Sequence, residues 1–153
     1  MKEFKGKVAV ITGGASGLGL EIARLAATKG MKLVLSDIEE RALKAAELEF
    51  AGQGIEVLAV RTNVAIAEDV ELLAEKTMTR FGAVHLLFNN AGVALNKTAW
   101  ETTIADWEWV LGVDLWGVIH GIRVFTPIML KQDAPSHIIN TASVAGMLST
   151  QGM

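Results

Sequence analysis

Apolar residues in this chain fall into five short runs that are separated by longer amphipathic stretches. The first run, residues 8–11, is continuously apolar and rich in β-branched side chains. A run without alternation between apolar and polar positions is typical of a strand that is buried on both faces. The later runs lie at 33–35, 55–60, 84–88 and 136–140. The pattern therefore predicts five strands.

One amphipathic helix is predicted between each pair of successive strands. In the first helix, apolar residues recur with the helical period, and they are Leu18, Ile22, Leu25 and Ala26. The second helix covers 39–51, the third begins near Ala67, and the fourth runs from about 106 to 130. The apolar face of the third helix comprises Val70, Leu73, Ala74, Thr77, Met78 and Phe81.

The alternation of strands and helices indicates right-handed βαβ units and a parallel sheet. Because the strands lack an alternating pattern, helices must cover both faces of that sheet. We therefore predict an α/β fold with a doubly wound parallel sheet in the order 3-2-1-4-5. The length of 153 residues suits one domain, 1–153.

A glycine-rich turn, TGGASGLG at residues 12–19, joins the first strand to the first helix. Glycines let phosphate oxygens approach the backbone, and the N–H groups at the start of the helix then hold a pyrophosphate. Asp37 ends the second strand, where a carboxylate accepts ribose hydroxyls and repels a 2′-phosphate. The combination predicts a Rossmann-type dinucleotide site that prefers NAD to NADP.

Two other interpretations of the glycines are possible. A glycine cluster alone makes a tight turn without binding anything, but the flanking strand, the helix and Asp37 favour the nucleotide site. A phosphate loop of the ATPase type needs a Lys-Ser or Lys-Thr pair after the last glycine, and Leu20 and Glu21 stand there instead.

Composition narrows the functional classes further. The net charge of −3 and a pI of about 5.6 argue against nucleic acid and acidic membrane surfaces as partners. The sequence contains no cysteine, which excludes disulfides and cysteine metal sites. No uninterrupted apolar stretch reaches the length of a membrane span, and the first apolar run is too short for a signal peptide. We expect a cytoplasmic protein.

Two motifs resemble those of the short-chain dehydrogenase/reductase family. The family pattern T-G-x-x-x-G-x-G is matched by Thr12, Gly13, Gly17 and Gly19, and N-N-A-G is matched by 89–92. The resemblance runs along the whole chain. It implies reversible hydride transfer between NAD and a small alcohol or ketone substrate, on a Rossmann fold.

The resemblance also implies roles for individual residues. Asn63, where the family usually has Asp, and Val64 would contact the adenine, and an Asn carbonyl still accepts from the adenine amino group. Asn90 and its two neighbours would line the nicotinamide-side ribose, whereas Asn89 would tie strand four to its neighbours. The complete predicted cofactor site comprises Thr12, Gly13, Ser16, Gly17, Leu18, Gly19, Asp37, Asn63, Val64, Asn90, Ala91 and Gly92.

Two further residues are candidates for the catalytic machinery. Ser143 matches the family serine that hydrogen-bonds the substrate oxygen, although a serine at a strand end is by itself a turn residue. Asp114 stands where the family usually has an Asn that holds a water in a proton relay. Asp114 either holds that water or is a polar helix residue or cap. The three histidines (85, 120 and 137) are expected to be structural or on the surface.

The family's proton donor is a Tyr in a Tyr-x-x-x-Lys motif, and this sequence contains no Tyr. We therefore expect a C-terminally incomplete domain without turnover by itself. The fifth strand would be an open edge, and the apolar 106–130 helix would lack a partner, so the chain should be marginally stable and prone to aggregation. In a longer parent protein this helix would form a homo-oligomer interface.

Three interpretations remain open at this point. The first is an oxidoreductase of the family, the second a non-catalytic NAD-binding module, and the third a half-domain that another chain completes.

Overall fold

The computed structural model describes residues 2–148 and has a five-stranded sheet at its centre. The strands are β1 (Val8–Thr12), β2 (Lys32–Asp37), β3 (Val57–Arg61), β4 (Leu86–Asn89) and β5 (His137–Asn140). All pairs are parallel, and the order is β3-β2-β1-β4-β5. The predicted strand order is therefore confirmed.

The helices follow the predicted alternation with small shifts at their ends. They are α1 (Gly17–Thr28), α2 (Glu40–Gly52), α3 (Ala67–Phe81), α4 (Ile104–Leu111) and α5 (Gly117–Lys131). A π-helical turn, Gly112–Trp116, joins α4 to α5 in one continuous helix. This helix starts before the predicted residue 106 because Thr103 and Asp106 form a capping box. Lys97 and Thr103 lower the pKa of the Asp106 carboxyl to about 2, so the cap stays charged.

The core consists of two layers, one on each face of the sheet. On β1, Val8 and Val10 pack with residues of α3 and α5, among them Leu73 and Phe125. The alternate residues of β1 pack on the other face with small residues of α1 and apolar residues of α2. Every residue of β1 is buried, as expected for a strand between two layers of helices.

The buried face of α1 agrees with the predicted one at Ala26 and, in part, at Ile22, but not at the two leucines. Leu18 and Leu25 are 60% and 62% exposed, whereas the buried residues of this helix are Gly19, Ala23 and Ala26. These small residues let the helix lie close to the sheet, and leucines at the same positions would hold it away. The prediction followed hydrophobicity and missed that closeness requires small side chains here. On α3, by contrast, the predicted face is buried at Val70, Leu73, Ala74 and Thr77.

Two glycines place α5 directly against the ends of the strands. A Cβ added at Gly117 would lie 2.7 Å from Cγ2 of Val64, and one added at Gly121 would lie 2.1 Å from Oδ1 of Asn89. Helix α5 therefore packs closely on the loop after β3 and on the end of β4.

The outer face of the long helix is exposed. Leu115 and Trp116 are 49% and 52% exposed. Ile104–Lys131 is long and apolar enough to cross a membrane by length and composition alone. Its inner face, with Phe125 and Met129, packs into the core of the sheet. Strand β5 forms the exposed edge next to β4.

We predict that Gly121→Ala lowers the free energy of unfolding by about 1–3 kcal/mol, because the new methyl group would overlap the buried Asn89 side chain. Gly52→Ala is the matched control, since a Cβ at this helical position meets no described atom within 4 Å. Urea unfolding should show the control unchanged or slightly more stable. Equal stability of both variants would contradict this packing.

We also predict that protonation of His85 weakens the fold in mild acid. Its Nδ1 accepts a hydrogen bond from the backbone N–H of Val8, 3.1 Å away. Burial, and then the charge of Lys7, lower the pKa of His85, so the folded chain holds the ring neutral. Since the unfolded chain binds the proton near the ordinary pKa of about 6.5, the unfolding free energy falls as the pH drops below that value.

His85→Gln can still accept the hydrogen bond from Val8 but does not titrate. Urea unfolding at about pH 7.5 and about pH 5.5 should show a smaller loss of stability for the variant than for the original chain. The same loss in both proteins would show that His85 does not cause it.

Candidate functional site

A cavity of about 730 Å³ lies at the carboxyl ends of the strands. Its walls combine the turn after β1, the segments after β2 and β3, the loop after β4 and one face of the long helix. The lining residues are Gly13, Ser16, Gly17, Leu18, Gly19, Asp37, Ile38, Glu39, Thr62, Asn63, Val64, Ala65, Asn90, Ala91, Gly92, Val93, Glu108, Trp109, Val113 and Thr141. Open α/β sheets bind ligands at this edge, where the strand order reverses beside β1.

The structure brings together nearly all residues of the predicted cofactor site. Every predicted cofactor-binding residue except Thr12 lines the cavity. The two predicted catalytic residues, Ser143 and Asp114, are not among the described lining residues.

The glycine turn is shaped by a very close approach of its own backbone. A Cβ on Gly19 would lie 2.0 Å from the carbonyl oxygen of Gly13. Gly13 and Gly17 adopt φ angles of +63° and +48°. A residue with a side chain would be strained in this left-handed region. At Gly17 an added Cβ would meet no atom of residues 2–148 within 4 Å, so the backbone there faces open space.

The start of α1 adds donors to this turn. Ser16 is the N-cap residue, and its side chain makes no capping hydrogen bond to the described part of the chain. The first N–H groups of a helix lack partners within the helix and lie at the positive end of its dipole. The turn is therefore suited to an anion.

Asp37 connects the end of β2 to the glycine turn. Its Oδ2 accepts a hydrogen bond from the backbone N–H of Ala15, and its Oδ1 accepts one from the N–H of Glu39, both at 3.1 Å. These bonds fix the carboxylate at the cavity wall. A carboxylate has about four acceptor positions, so two bonds leave capacity for a ligand hydroxyl.

Thr12 lies beneath the cavity, where it joins β1 to the end of β4. Its buried hydroxyl oxygen accepts hydrogen bonds from the backbone N–H groups of Asn90 and Ala91, at 2.9 and 3.0 Å, and donates to the carbonyl of Phe88. Asn90 returns a bond from Nδ2 to the carbonyl of Thr12, and its Oδ1 accepts from Thr141. Thr12 therefore positions the N-N-A-G segment.

The adjacent Asn89 connects β4 to β5, as predicted. Its Nδ2 donates to Oδ1 of Asn140 at 2.9 Å. Its own Oδ1 is buried against Gly121 and has no hydrogen-bond partner among residues 2–148.

Asn63 uses its side chain to shape the loop after β3. Its Oδ1 accepts from the N–H of Ala65 at 3.1 Å, and its backbone N–H donates to Oδ2 of Asp69 at 2.8 Å. The carbonyl of the next residue, Val64, hydrogen-bonds with Nδ1 of His120. The oxygen that was predicted to meet an adenine therefore also closes a local turn.

The two candidate catalytic residues have local partners. Oδ1 of Asp114, in the π-helical turn, accepts from the backbone N–H of Val93 at 2.9 Å. This contact favours the structural alternative, because Asp114 holds the loop that follows N-N-A-G. Ser143 is exposed, and its Oγ accepts from the N–H of Ala145 at the start of a 3₁₀ turn, Val144–Gly146.

Several residues that line the cavity were not predicted from the sequence. Some directly follow strand ends, and others lie on α4. Ile38, Thr62 and Thr141 directly follow strand ends, so the predicted parallel sheet would have revealed them. Glu108 and Trp109 gave no such signal, because only the crossing of α4 over the cavity brings them there.

The charged side chains among the described lining residues of the cavity are all negative. Asp37, Glu39 and Glu108 line the cavity, and none of the described lining residues is a lysine or arginine. The wall therefore favours neutral or cationic groups near these carboxylates and disfavours an additional phosphate.

A smaller cleft of about 190 Å³ lies on another side of α4. It is lined by Leu95, Lys97, Ala99, Thr102, Trp107 and Val110. The neighbouring tryptophans 107 and 109 of α4 therefore face different cavities.

The family model for short chain dehydrogenases matches residues 7–153. The chain belongs to the short-chain dehydrogenase family. It is 42% identical over 153 residues to the CLA biosynthesis dehydrogenase/reductase of Lactiplantibacillus plantarum, covering 100% of this chain and 54% of that protein. It is 37% identical over 153 residues to the cyclohexanol dehydrogenase of an Acinetobacter species, covering 99% of this chain and 60% of that protein.

Solved structures of the family agree with this fold. A short-chain dehydrogenase/reductase from Burkholderia phymatum, crystallised in complex with NAD, is 52% identical with a TM-score of 0.98, and the match covers 100% of this chain and 54% of that one. Levodione reductase is 35% identical with a TM-score of 0.89, over 98% of this chain and 59% of that one. The chain spans little more than half the length of these family members.

Proposed function

We propose that this chain is the NAD-binding part of a short-chain dehydrogenase that interconverts a small alcohol and its carbonyl compound. The main observation is the single cavity wall that joins the glycine turn and Asp37 to the segment 90–92. A dinucleotide has two nucleoside ends and a diphosphate between them, and this wall offers a matching sequence of acceptors and donors.

The glycine turn fits the diphosphate. The open space at Gly17 lets phosphate oxygens reach the backbone, and the free start of α1 supplies donors and positive potential. A side chain at Gly19 would push the helix away from the carbonyl of Gly13 and deform this cradle.

Asp37 would bind the adenosine ribose through its two hydroxyl groups. A 2′-phosphate at this place would lie beside the Asp37 carboxylate, and the described lining of the cavity includes Glu39 and Glu108 but no lysine or arginine to compensate. The charges therefore support NAD as the cofactor and disfavour NADP. A relative crystallised with NAD supports the same choice.

The segment 90–92 would hold the nicotinamide nucleoside. Its position is set by Thr12, which binds the N–H groups of Asn90 and Ala91, and by Asp114, which binds the N–H of Val93. When bound there, the nicotinamide ring would accept a hydride from an alcohol carbon or donate one to a carbonyl carbon. The residues of this chain orient the ring for that transfer.

We predict that Asp37→Asn reduces the preference for NADH over NADPH by about tenfold or more, because it removes the charge nearest the 2′-position. Glu75→Gln removes the same charge from an exposed site on α3 and is the matched control. Calorimetric titration of both cofactors should show a changed ratio for the first variant only. No NADH binding by the original protein would refute the proposed function.

We further propose that the 153-residue chain binds the cofactor without turning over a substrate. Transfer of a hydride to a carbonyl requires a matched proton transfer, and the sequence contains no Tyr to supply it. The side chain of Ser143 also lies outside the described cavity lining. An assay of NADH formation with cyclohexanol and other small alcohols should show no activity above the buffer rate, while NADH binding persists.

We propose that the protein self-associates through its long helix. Leu111, Leu115, Ile119 and Ile122 follow one another at helical spacings, and each is exposed. Such a stripe on one helix is typical of an interface between subunits.

We predict that the pair of substitutions Leu115→Glu and Ile119→Glu shifts the protein toward a monomer, because the charges would be desolvated at an interface. Leu48→Glu on α2 is the control, since Leu48 is an exposed leucine (61%) outside the proposed interface. Size-exclusion chromatography with light scattering measures the mass. A monomer before any substitution would contradict the proposed interface.

A further inference from the structure

We propose that Trp109 is the aromatic wall of the adenine subsite, against which the base stacks. This inference rests on the proposed NAD site and adds a binding residue to it from α4. The proposed cofactor site otherwise consists of strand ends and their loops.

The order of the strands determines where an adenine would lie. The proposed diphosphate site follows β1, and the proposed ribose site at Asp37 follows the adjacent β2. Continuing in the same direction, the base reaches the end of β3 and the loop of residues 62–65, which also lines the cavity. The opposite direction leads to β4 and the segment 90–92.

Helix α4 closes the cavity above this loop. A Cβ added at Gly112 would lie 3.2 Å from Cβ of Ala65, so the end of α4 touches the loop after β3. Trp109 on α4 and Val113 in the π-helical turn are four residues apart, and both line the cavity. Trp109 therefore belongs to the part of the lining near the proposed place of the base.

The four tryptophans of the chain have different surroundings, and Trp109 alone among them lines the large cavity. Trp107 lines the smaller cleft, and the ring of Trp116 lies 5.9 Å from that of His120. Trp100 is 85% exposed. Trp109 is 48% exposed, so it is accessible to a planar ligand.

A base and an indole attract each other through their flat faces without specific hydrogen bonds. The amide oxygen of Asn63 accepts one bond from Ala65, and stacking on Trp109 would add a contact that does not depend on this oxygen.

The test compares Trp109→Leu with Trp107→Leu by calorimetric titration of NADH and of ADP-ribose. Both replaced residues lie on α4 with similar exposure, 48% and 44%, but they line different cavities. Leucine retains apolar volume and helix propensity and removes the aromatic face. Loss of one base–aromatic stack should weaken binding roughly 5- to 150-fold.

The inference predicts that Trp109→Leu binds NADH and ADP-ribose more weakly by the same factor, since both ligands contain adenine. In Trp107→Leu and Trp109→Phe, the affinity for both ligands should stay within about threefold of that of the original protein. Unchanged ADP-ribose binding in Trp109→Leu would overturn it, and weakening of NADH alone would place Trp109 at the nicotinamide end instead. Failure of the original protein to bind either ligand would refute the proposed function and this inference with it.

Discussion

The close approach of Gly19 to the carbonyl of Gly13 is the constraint on which the rest of the site depends. At 2.0 Å from that oxygen a Cβ has no space, so the start of α1 can lie against the end of β1 only with glycine there. The same contact leaves the outer side of the turn, at Gly17, open to a ligand. Close packing of α1 and the open outer side of the turn are therefore two features of one backbone geometry, and a side chain at Gly19 would alter both.

A second close contact fixes the opposite wall of the cavity. Gly117 and Gly121 let α5 touch Val64 and Asn89, so the helix holds the loop after β3 and the end of β4 at once. Asn89 and Thr12 then join neighbouring strands through their side chains. These polar groups lie at the strand ends, where the sheet would otherwise have little to hold its loops in place.

The surface of the molecule exposes apolar side chains and an open strand edge, whereas its core is well covered. Both faces of the central strand β1 are covered, but the outer face of the helix Ile104–Lys131 exposes leucines, isoleucines and tryptophans, and β5 is an open edge. Burial of such side chains is worth about 1.5–3 kcal/mol each, so contacts at this face would stabilise the fold substantially.

The sequence by itself determined the alternation of strands and helices, the glycine turn and Asp37, because each depends on local backbone geometry or on a period that neighbouring residues display. The N-N-A-G segment was found through its resemblance to the family. The sequence determined the buried face of α1 only in part, since Ala26 is buried but Leu18 and Leu25 are exposed. Only the tertiary structure showed that Thr12 supports the cavity from below, that Asp114 binds Val93 and that Trp109 reaches the cavity. Those contacts join segments far apart in the chain, and their distances follow from how helices cross the sheet.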